Sequence, residues 1–495
     1  MTRIARVVIG LAVLAGLAGG LPAAAQDGLP RFEAAACMIP LPAGEQVDCG
    51  YLLVPEDRTQ PDSPTIRLAV AILRSKSAAP APDPVLYLEG GPGGSPIVFL
   101  EEWLDSPLRD TRDLILLDQR GTGFSRPLLD CPELDVLTLD LLDEAPSPRV
   151  RIARQTAAAF NCRDRLLAAG VNLAAYNSAA SAVDVADLRA ALGYDTWNLY
   201  GISYGTRLAL TTLRDYPEGI RSVVLDSVYP PVVNGYAELV PNGVRAFEVL
   251  FAACAADTHC NAAFPDLAAA FSDLVVRLDA DPPLVPVMHP FTGGSYQLLL
   301  TGDVLIETLF GGLYVTELIP YLPYLIHQAD NGAYVLMANI AMALLVQNEF
   351  SSEGMYYSVE CYEEVPFHTG DDLRAAAEAH PDLAGFVLSQ PEFAICGDWG
   401  AGTAGAIETQ PVISDVPTLV LSGEYDPITP PAWGQIAAET LSRSYFYEFP
   451  GLGHGVTYLS GDCPVRIMTA FVDDPLSAPD ALCIEGMGPP VFLTP

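Results

Sequence analysis

The sequence predicts an α/β protein built on a mostly parallel sheet, and three observations carry that prediction. Short apolar runs containing β-branched residues alternate with helix-forming runs, the pattern of strands covered on both faces. Several of these runs end in glycine-rich turns. The alternation stops in mid-chain and resumes near the C-terminus, so a mainly helical segment is expected to enter and leave at one end of the sheet and to lid whatever lies below it. With 495 residues, half of them apolar, the chain can bury a large core.

Taken in order, residues 1–25 read as a secretory signal: Arg3 and Arg6 precede the apolar stretch VVIGLAVLAGLAGGL, and Ala23 and Ala25 form a small-residue cleavage pattern. The stretch is short for a membrane anchor and rich in glycine. Cys37, the first cysteine, lies too far on for lipid attachment at a mature N-terminus. No later segment is expected to span a bilayer; the best, 333–347, is interrupted by Asn339. The mature protein is therefore expected to be exported, to the periplasm or the medium, without stable membrane insertion. The first part of the core is assigned to 26–230, with strands at 85–89, 114–118, 196–202 and 221–228, and helices before and after the third of these. A Pro/Ala linker, 77–84, joins sheet elements. The cap is assigned to 231–405, and 406–495 completes the core with strands at 417–423 and 444–449.

Charge excludes one class of function. The chain carries 25 basic and 61 acidic residues, net −36, and losing Arg3 and Arg6 with the signal takes it to −38. Lys76 is the only lysine, so no basic face exists to neutralise nucleic-acid phosphates; the acids read as solubility outside the cell. Ten cysteines, an even number in an exported chain, predict disulfides between chain neighbours: Cys37 with Cys49, Cys131 with Cys162, Cys254 with Cys260, Cys361 with Cys396, and Cys463 with Cys483. A zinc reading has only Cys254, Cys260 and His259 to draw on, and neither metal nor cofactor is expected.

The chemistry concentrates at Gly201-Ile202-Ser203-Tyr204-Gly205, a G-x-S-x-G pattern between a predicted strand and a predicted helix. A serine hydroxyl needs exposure, a base and oxyanion donors to become a nucleophile; a sharp strand-to-helix turn supplies exposure and leaves no room for side chains two positions either side. Asp426 and His454 each follow a later strand, in loops at the sheet edge where sites collect. Ser203, Asp426 and His454 are the candidate nucleophile, orienting acid and base. Glu424 is the alternative acid. The other histidines, His259, His289, His327, His368 and His380, all fall in the inserted segment. The backbone N–H of Tyr204 and that of Gly90 or Gly91, in the glycine run after the first predicted strand, are the candidate oxyanion donors. That run lacks the ending of a P-loop and the spacing of a dinucleotide fingerprint.

The segments EGGPGGSP (89–96), DQRGTGFS (118–125), GISYGTRLAL (201–210), SGEYDPITP (422–430) and GLGHGV (451–456) together resemble the prolyl and tripeptidyl aminopeptidase family of serine peptidases. The resemblance runs through nearly all of the mature chain, including DCPVRIMTAFVDDP near its end, and is most specific in the GGPGG and DQRGTG pairing. It implies an α/β-hydrolase fold with a helical cap, and release of one or a few residues from peptides with a free N-terminus. It also implies a bracing role for Asp118 and Arg120 under the oxyanion loop, and carboxylates in the cap for the substrate ammonium. Within SVECYEEVPF (358–367) Glu363 maps to the latter role, with Glu360 or Glu364 sharing it; an acidic surface is the bland alternative. Glu89 stands where many relatives carry His or Asn, and the cap, which decides specificity, is the least matched region. Fold and triad alone also suit a carboxylesterase, and a binding protein with a dead triad is disfavoured by the presence of every needed residue.

Overall fold

In the computed structural model of the chain, residues 28–381, 388–458 and 461–495 are described; the predicted signal at 1–25 lies outside them. Nine strands form one sheet in the order β1-β2-β3-β5-β4-β6-β7-β10-β11. Six of these are the predicted strands, seen as β4 (Val85–Leu88), β5 (Leu114–Leu117), β6 (Trp197–Ile202), β7 (Ile220–Asp226), β10 (Thr418–Gly423) and β11 (Ser444–Phe449). They pair in parallel throughout, and β4, β5, β6 and β10 are buried at every position, because helices cover both faces. Three strands not anticipated from the sequence, β1 (Arg31–Ala35), β2 (Val47–Pro55) and β3 (Thr65–Leu73), extend the sheet as antiparallel neighbours on the β5 side.

The helices that matter for the site are α1 (Pro148–Ala168), α2 (Ser178–Leu192), α3 (Tyr204–Asp215), α4 (Gly235–Ala256), α5 (Gly302–Tyr314), α6 (Glu353–Glu363) and α7 (Asp462–Asp473). α2 starts with the Asn177 side chain accepting from the Ala180 N–H and stops at Gly193 with φ 76°, a capped start and a left-handed stop. One apolar core lies on the face of the sheet covered by α2 and α3, another on the face covered by α7.

Between β7 and β10 the chain builds a third core of its own, around Leu250, Leu274, Leu309 and Ile326. The strand pattern does not stop there altogether. β8 (Leu284–Met288) and β9 (Ser295–Leu299) form a separate antiparallel hairpin, and β8 alternates exposed and buried positions, a period-two signal that Pro286 masks in the sequence. A second correction concerns membrane spans: α4, with 22 residues, is long and apolar enough by length and composition to cross a bilayer, although the sequence reading passed over it. It also carries Arg245 and an internal Pro241, and packs Tyr236, Val240, Phe247 and Leu250 into the protein.

The five disulfides join the cysteines in chain order, Cys37–Cys49, Cys131–Cys162, Cys254–Cys260, Cys361–Cys396 and Cys463–Cys483. The fourth ties α6 to the short helix Glu392–Cys396.

Candidate active site

Ser203 caps the N-terminus of α3 directly after β6, with φ 57° and ψ −127°. A non-glycine residue held at positive φ carries strain that the surroundings must support. The flanking glycines are what let the turn close. A Cβ on Gly201 would lie 2.4 Å from the Gly205 carbonyl oxygen, and one on Gly205 only 2.0 Å from that of Leu88 in β4. Sterics therefore dictate the two glycines around the serine. Thr206 secures the turn, its N–H and hydroxyl both donating to the Ser203 carbonyl at 2.9 and 2.6 Å.

Asp426 and His454 meet at the same rim. The Asp426 Oδ2 lies 2.8 Å from His454 Nδ1. Asp426 also accepts from the N–H groups of Ile428 and Thr429, at 3.0 and 2.9 Å, and from the Thr429 hydroxyl at 2.7 Å. Burial alone pushes its carboxyl pKa up, but the His454 charge and these hydrogen bonds outweigh burial and hold it below the usual range. The carboxylate thus stays ionised and fixes the imidazole with Nδ1 toward it. His454 Nε2, the atom that must receive a proton, is buried and has no hydrogen-bond partner among the described residues. Glu424, the alternative acid, is turned away and accepts from the Gly451 N–H at 2.9 Å.

Of the oxyanion donors, Tyr204 supplies the first N–H of α3, where backbone donors lack intrahelical partners. The glycine loop approaches closely: a Cβ on Gly90 would sit 3.0 Å from that of Ser203. The Gly90 N–H is already spent, donating to Glu89 Oε1 at 2.9 Å. Gly91, exposed and at φ 115°, has an N–H without a partner among the described residues, and is the better placed of the two. Glu89, which also accepts from the Tyr87 hydroxyl at 3.1 Å, has its pKa raised by burial against the opposing pull of the Gly90 N–H.

The brace under this loop comes from Asp118, which accepts from Ser95 Oγ at 2.7 Å, the Ile97 N–H at 3.3 Å and the Phe124 N–H at 2.7 Å. Gln119, which the sequence reading did not single out, donates to the Glu89 carbonyl at 2.9 Å. Arg120 departs from its expected role. It faces α2, paired with Asp184 at 2.7 and 2.9 Å, and does not touch the loop.

The three acids expected to receive the ammonium are all engaged elsewhere. Glu363 accepts from the Ser178 N–H at 3.1 Å and from the Ser178 hydroxyl, and lies 3.4 Å from Arg207 Nε. Glu364 lies 2.5 Å from the other side of the same guanidinium. Glu360 accepts from the Tyr236 hydroxyl at 2.6 Å. Arg207 belongs to α3, behind the nucleophile, and is 1% exposed, so Glu363 and Glu364 close a buried network between the end of α6 and α3, while Glu360 is tied to α4 through Tyr236.

Beside Gly91 and Pro92 lies a cavity of about 410 Å³ whose walls include Gln155, Glu353, Tyr356 and Glu392. Glu392 is 5% exposed; its Oε1 accepts from the Tyr356 hydroxyl at 3.0 Å, while its Oε2 is buried without a partner. Gln155 Oε1 is likewise unpartnered. Burial pushes the carboxyl of Glu353 up to about 8. Tyrosines and acceptors are prominent on this wall, and none of the described residues that line it is a cation.

Three contributions escaped the sequence because they depend on long-range contact. Arg245 of α4 donates to the carbonyls of Glu424 and Asp426 at 2.7 and 2.5 Å, pinning the acid's loop. Asp226, at the end of β7, accepts from the N–H groups of Val456 and Thr457 at 3.0 and 2.8 Å, pinning the base's loop. Tyr314, the last residue of α5, stacks on His454 with ring centroids 4.0 Å apart and planes 23° apart.

A hydroxyl on a strained elbow, an imidazole held by a buried carboxylate and unspent N–H donors at one rim of a mostly parallel sheet define a serine hydrolase. Residues 83–459 match the model of the alpha/beta hydrolase fold family, and the chain belongs to that family. It is 26% identical over 460 residues to the serine protease Hip1 of Mycobacterium tuberculosis, covering 86% of this chain and 84% of that protein. It is 30% identical over 197 residues to the tripeptidyl aminopeptidase of Streptomyces lividans, covering 37% and 36%. Among solved structures, the proline iminopeptidase of Mycobacterium smegmatis aligns with 16% identity and a TM-score of 0.40 over 86% of this chain and 98% of that one.

Proposed function

We propose that the protein is an exported serine exopeptidase that releases one or a few residues from the free N-terminus of a peptide through an acyl-enzyme. The observation that carries the reading is the 2.8 Å pairing of His454 Nδ1 with Asp426, which leaves Nε2 unspent at the rim where the elbow presents Ser203. In the reaction, Nε2 takes the Ser203 proton as Oγ attacks the scissile carbonyl, and the carbonyl oxygen gains charge toward the N–H groups of Tyr204 and Gly91. The tetrahedral adduct collapses as His454 returns the proton to the departing amine, and water releases the acyl group by the same steps. Peptide as substrate is supported by the names of the two relatives, a serine protease and a tripeptidyl aminopeptidase.

The ammonium is assigned to the cavity beside Gly91 in place of Glu360, Glu363 and Glu364. Glu392 Oε2 offers it an ionisable acceptor that is buried and unpaired, and Glu353 lines the same wall. Unpaired buried acceptors are costly, and an arriving cation relieves that cost. Export is supported by the five disulfides and by the predicted signal at 1–25.

The test compares a tripeptide anilide with its N-acetylated form on the purified protein. Cleavage of the free form at least about tenfold faster is expected from one lost ion pair in a buried site. Equal rates, or turnover confined to simple esters, would reject the exopeptidase reading in favour of an endopeptidase or a carboxylesterase.

A further inference from the structure

Glu89 stands where β4 becomes the oxyanion loop, and its carboxyl is turned back on its own backbone. It follows Leu88, the last residue of β4. Side chains two apart along a strand share a face, which brings the Tyr87 hydroxyl to Glu89 Oε1 at 3.1 Å. That phenol is itself fixed, since Tyr87 is buried with its ring centroid 4.2 Å from that of Trp103 and 5.1 Å from that of Tyr200. Burial, and then the charge of Glu89, keep its pKa well above the ordinary value, so it stays a donor. The same Oε1 accepts from the Gly90 N–H at 2.9 Å.

These bonds fix the loop one peptide unit at a time. The unit joining Glu89 to Gly90 is held at both ends: its carbonyl accepts from Gln119 Nε2 at 2.9 Å, and its N–H is taken by the Glu89 carboxyl. The next unit, joining Gly90 to Gly91, is held at its carbonyl, which accepts from the Gly94 N–H at 3.2 Å. A trans peptide is planar, with its N–H directed away from its C=O. Anchoring that carbonyl therefore aims the Gly91 N–H the other way, and this is the N–H left without a partner among the described residues. The loop has little room to do otherwise. A Cβ on Gly90 would lie 3.0 Å from that of Ser203 and 3.1 Å from the Ile202 carbonyl oxygen, and one on Gly94 would lie 2.7 Å from Glu89 Cγ. The stem of the carboxyl is packed inside the turn it fastens.

Resting on the serine-hydrolase reading, we infer that Glu89 is a positioning residue of the oxyanion site: by holding the Gly90 N–H it presents that of Gly91 to the developing oxyanion. Gly90 is buried, so without the carboxyl its N–H must turn to find another acceptor, and it cannot turn without rotating the peptide unit beside it. The charge of the carboxyl plays no part in presenting the donor. A negative group near an oxyanion opposes it, and burial already pushes the Glu89 pKa upward. What the loop needs is an acceptor at Oε1, which a neutral acid or an amide supplies as a carboxylate does.

Glu89→Ala removes the acceptor, and Glu89→Gln keeps it without the charge. On a small acetate ester, which carries no ammonium, Glu89→Ala is expected to lower kcat about tenfold or more with KM within about twofold, the mark of a donor met only in the transition state. Glu89→Gln should bring kcat back to within about threefold of the wild type. The rate of labelling by a small fluorophosphonate, whose phosphoryl oxygen meets the same donors, should follow the same order. Tyr87→Phe keeps the ring against Trp103 and Tyr200 but releases the carboxyl on one side; it should lower kcat about threefold at unchanged KM, and it decides the matter if Glu89→Ala fails to fold. Wild-type kcat in Glu89→Ala or in Tyr87→Phe would overturn the proposal. So would a Glu89→Gln variant as slow as Glu89→Ala, because charge and not acceptance would then be at work. A raised KM at constant kcat would overturn it as well, placing Glu89 against the substrate. Wild-type protein that takes no label, or label that persists in Ser203→Ala, would sink the hydrolase reading itself and is thereby told apart from failure of the Glu89 role.

Discussion

Asp426 and Glu363 are both buried carboxylates beside a nitrogen base, one at the rim of the sheet and one in the segment between β7 and β10, yet their environments drive them in opposite directions. Asp426 accepts four hydrogen bonds, from two backbone N–H groups, a hydroxyl and the imidazole, and its pKa is lowered. Glu363 sits at 3.4 Å from Arg207 Nε, and burial raises it to about 7 despite that guanidinium and Ser178. Burial is common to the two; the number and geometry of donors decide which form survives. The rim keeps a charge where the reaction needs one. The α6–α3 network merely neutralises its charges.

The largest effect expected from this contrast is at the rim. Replacing His454 with Ala should cost about 10⁴-fold or more in kcat/KM, since base and nucleophile act as a unit, with little change in melting temperature. A loss under tenfold would mean that the rim pairing is structural, and the contrast with Glu363 would vanish.

Next comes the buried network. Arg207→Met should destabilise the fold by about 3–5 kcal/mol, because Glu363 and Glu364 would be left buried without their cation. Chemical denaturation measures this. The folded fraction should keep kcat/KM within about threefold. Unaltered stability with lost turnover of free peptides would instead return Glu363 and Glu364 to the role of ammonium ligands.

The same contrast explains what the sequence disclosed. The elbow, the acid's loop and the base's loop were legible because each is a local solution written in adjacent residues: Gly201 and Gly205 around Ser203, and glycines around His454. The parallel strands were legible because complete burial demands continuous apolar runs. Glu360, Glu363 and Glu364 were legible as a cluster, but the pairing of Glu363 and Glu364 with Arg207 was not, since Arg207 lies some 150 residues earlier in the chain and nothing local announces it. Arg245 and Tyr314 were invisible for the same reason. Their function is a contact across the interface between α4 or α5 and the sheet rim, and only the folded chain defines it. Of the strands β1–β3, β1 has no buried position and so carries a weak apolar signal, whereas β3, buried at seven of its nine positions, is an apolar run whose burial leaves no reason for its having been passed over.

A sharper comparison sets Glu392 against Glu363. Both are buried, but Glu392 keeps an unpartnered oxygen on the cavity wall. Glu392→Gln should raise KM for free-amine peptides about tenfold and leave kcat within about twofold, the signature of binding lost equally from ground and transition states. N-acetylated peptides should be insensitive to it. If both substrates respond alike, the cavity does not read the ammonium.

The smallest effect sits on the same wall, and it is a dependence on pH. The carboxyl of Glu353 is pushed up by burial from 4.5 to about 8 in the folded protein. Below about 4.5 both folded and unfolded chains carry the proton, and this group's contribution to stability is fully present. As pH rises, the unfolded chain ionises first, and the contribution is lost progressively until the folded carboxyl ionises near 8. The melting temperature of the wild type should therefore fall over that window by about 1–3 °C more than that of Glu353→Gln, which cannot titrate. A peptide with a free N-terminus should narrow the gap, because an ammonium in the cavity favours the ionised carboxylate and draws its pKa back down. Identical pH profiles for the two proteins would show that Glu353 reaches water and that the cavity wall is wetter than its burial implies. A gap that the peptide fails to narrow would place the ammonium elsewhere, with Glu353 buried for packing alone.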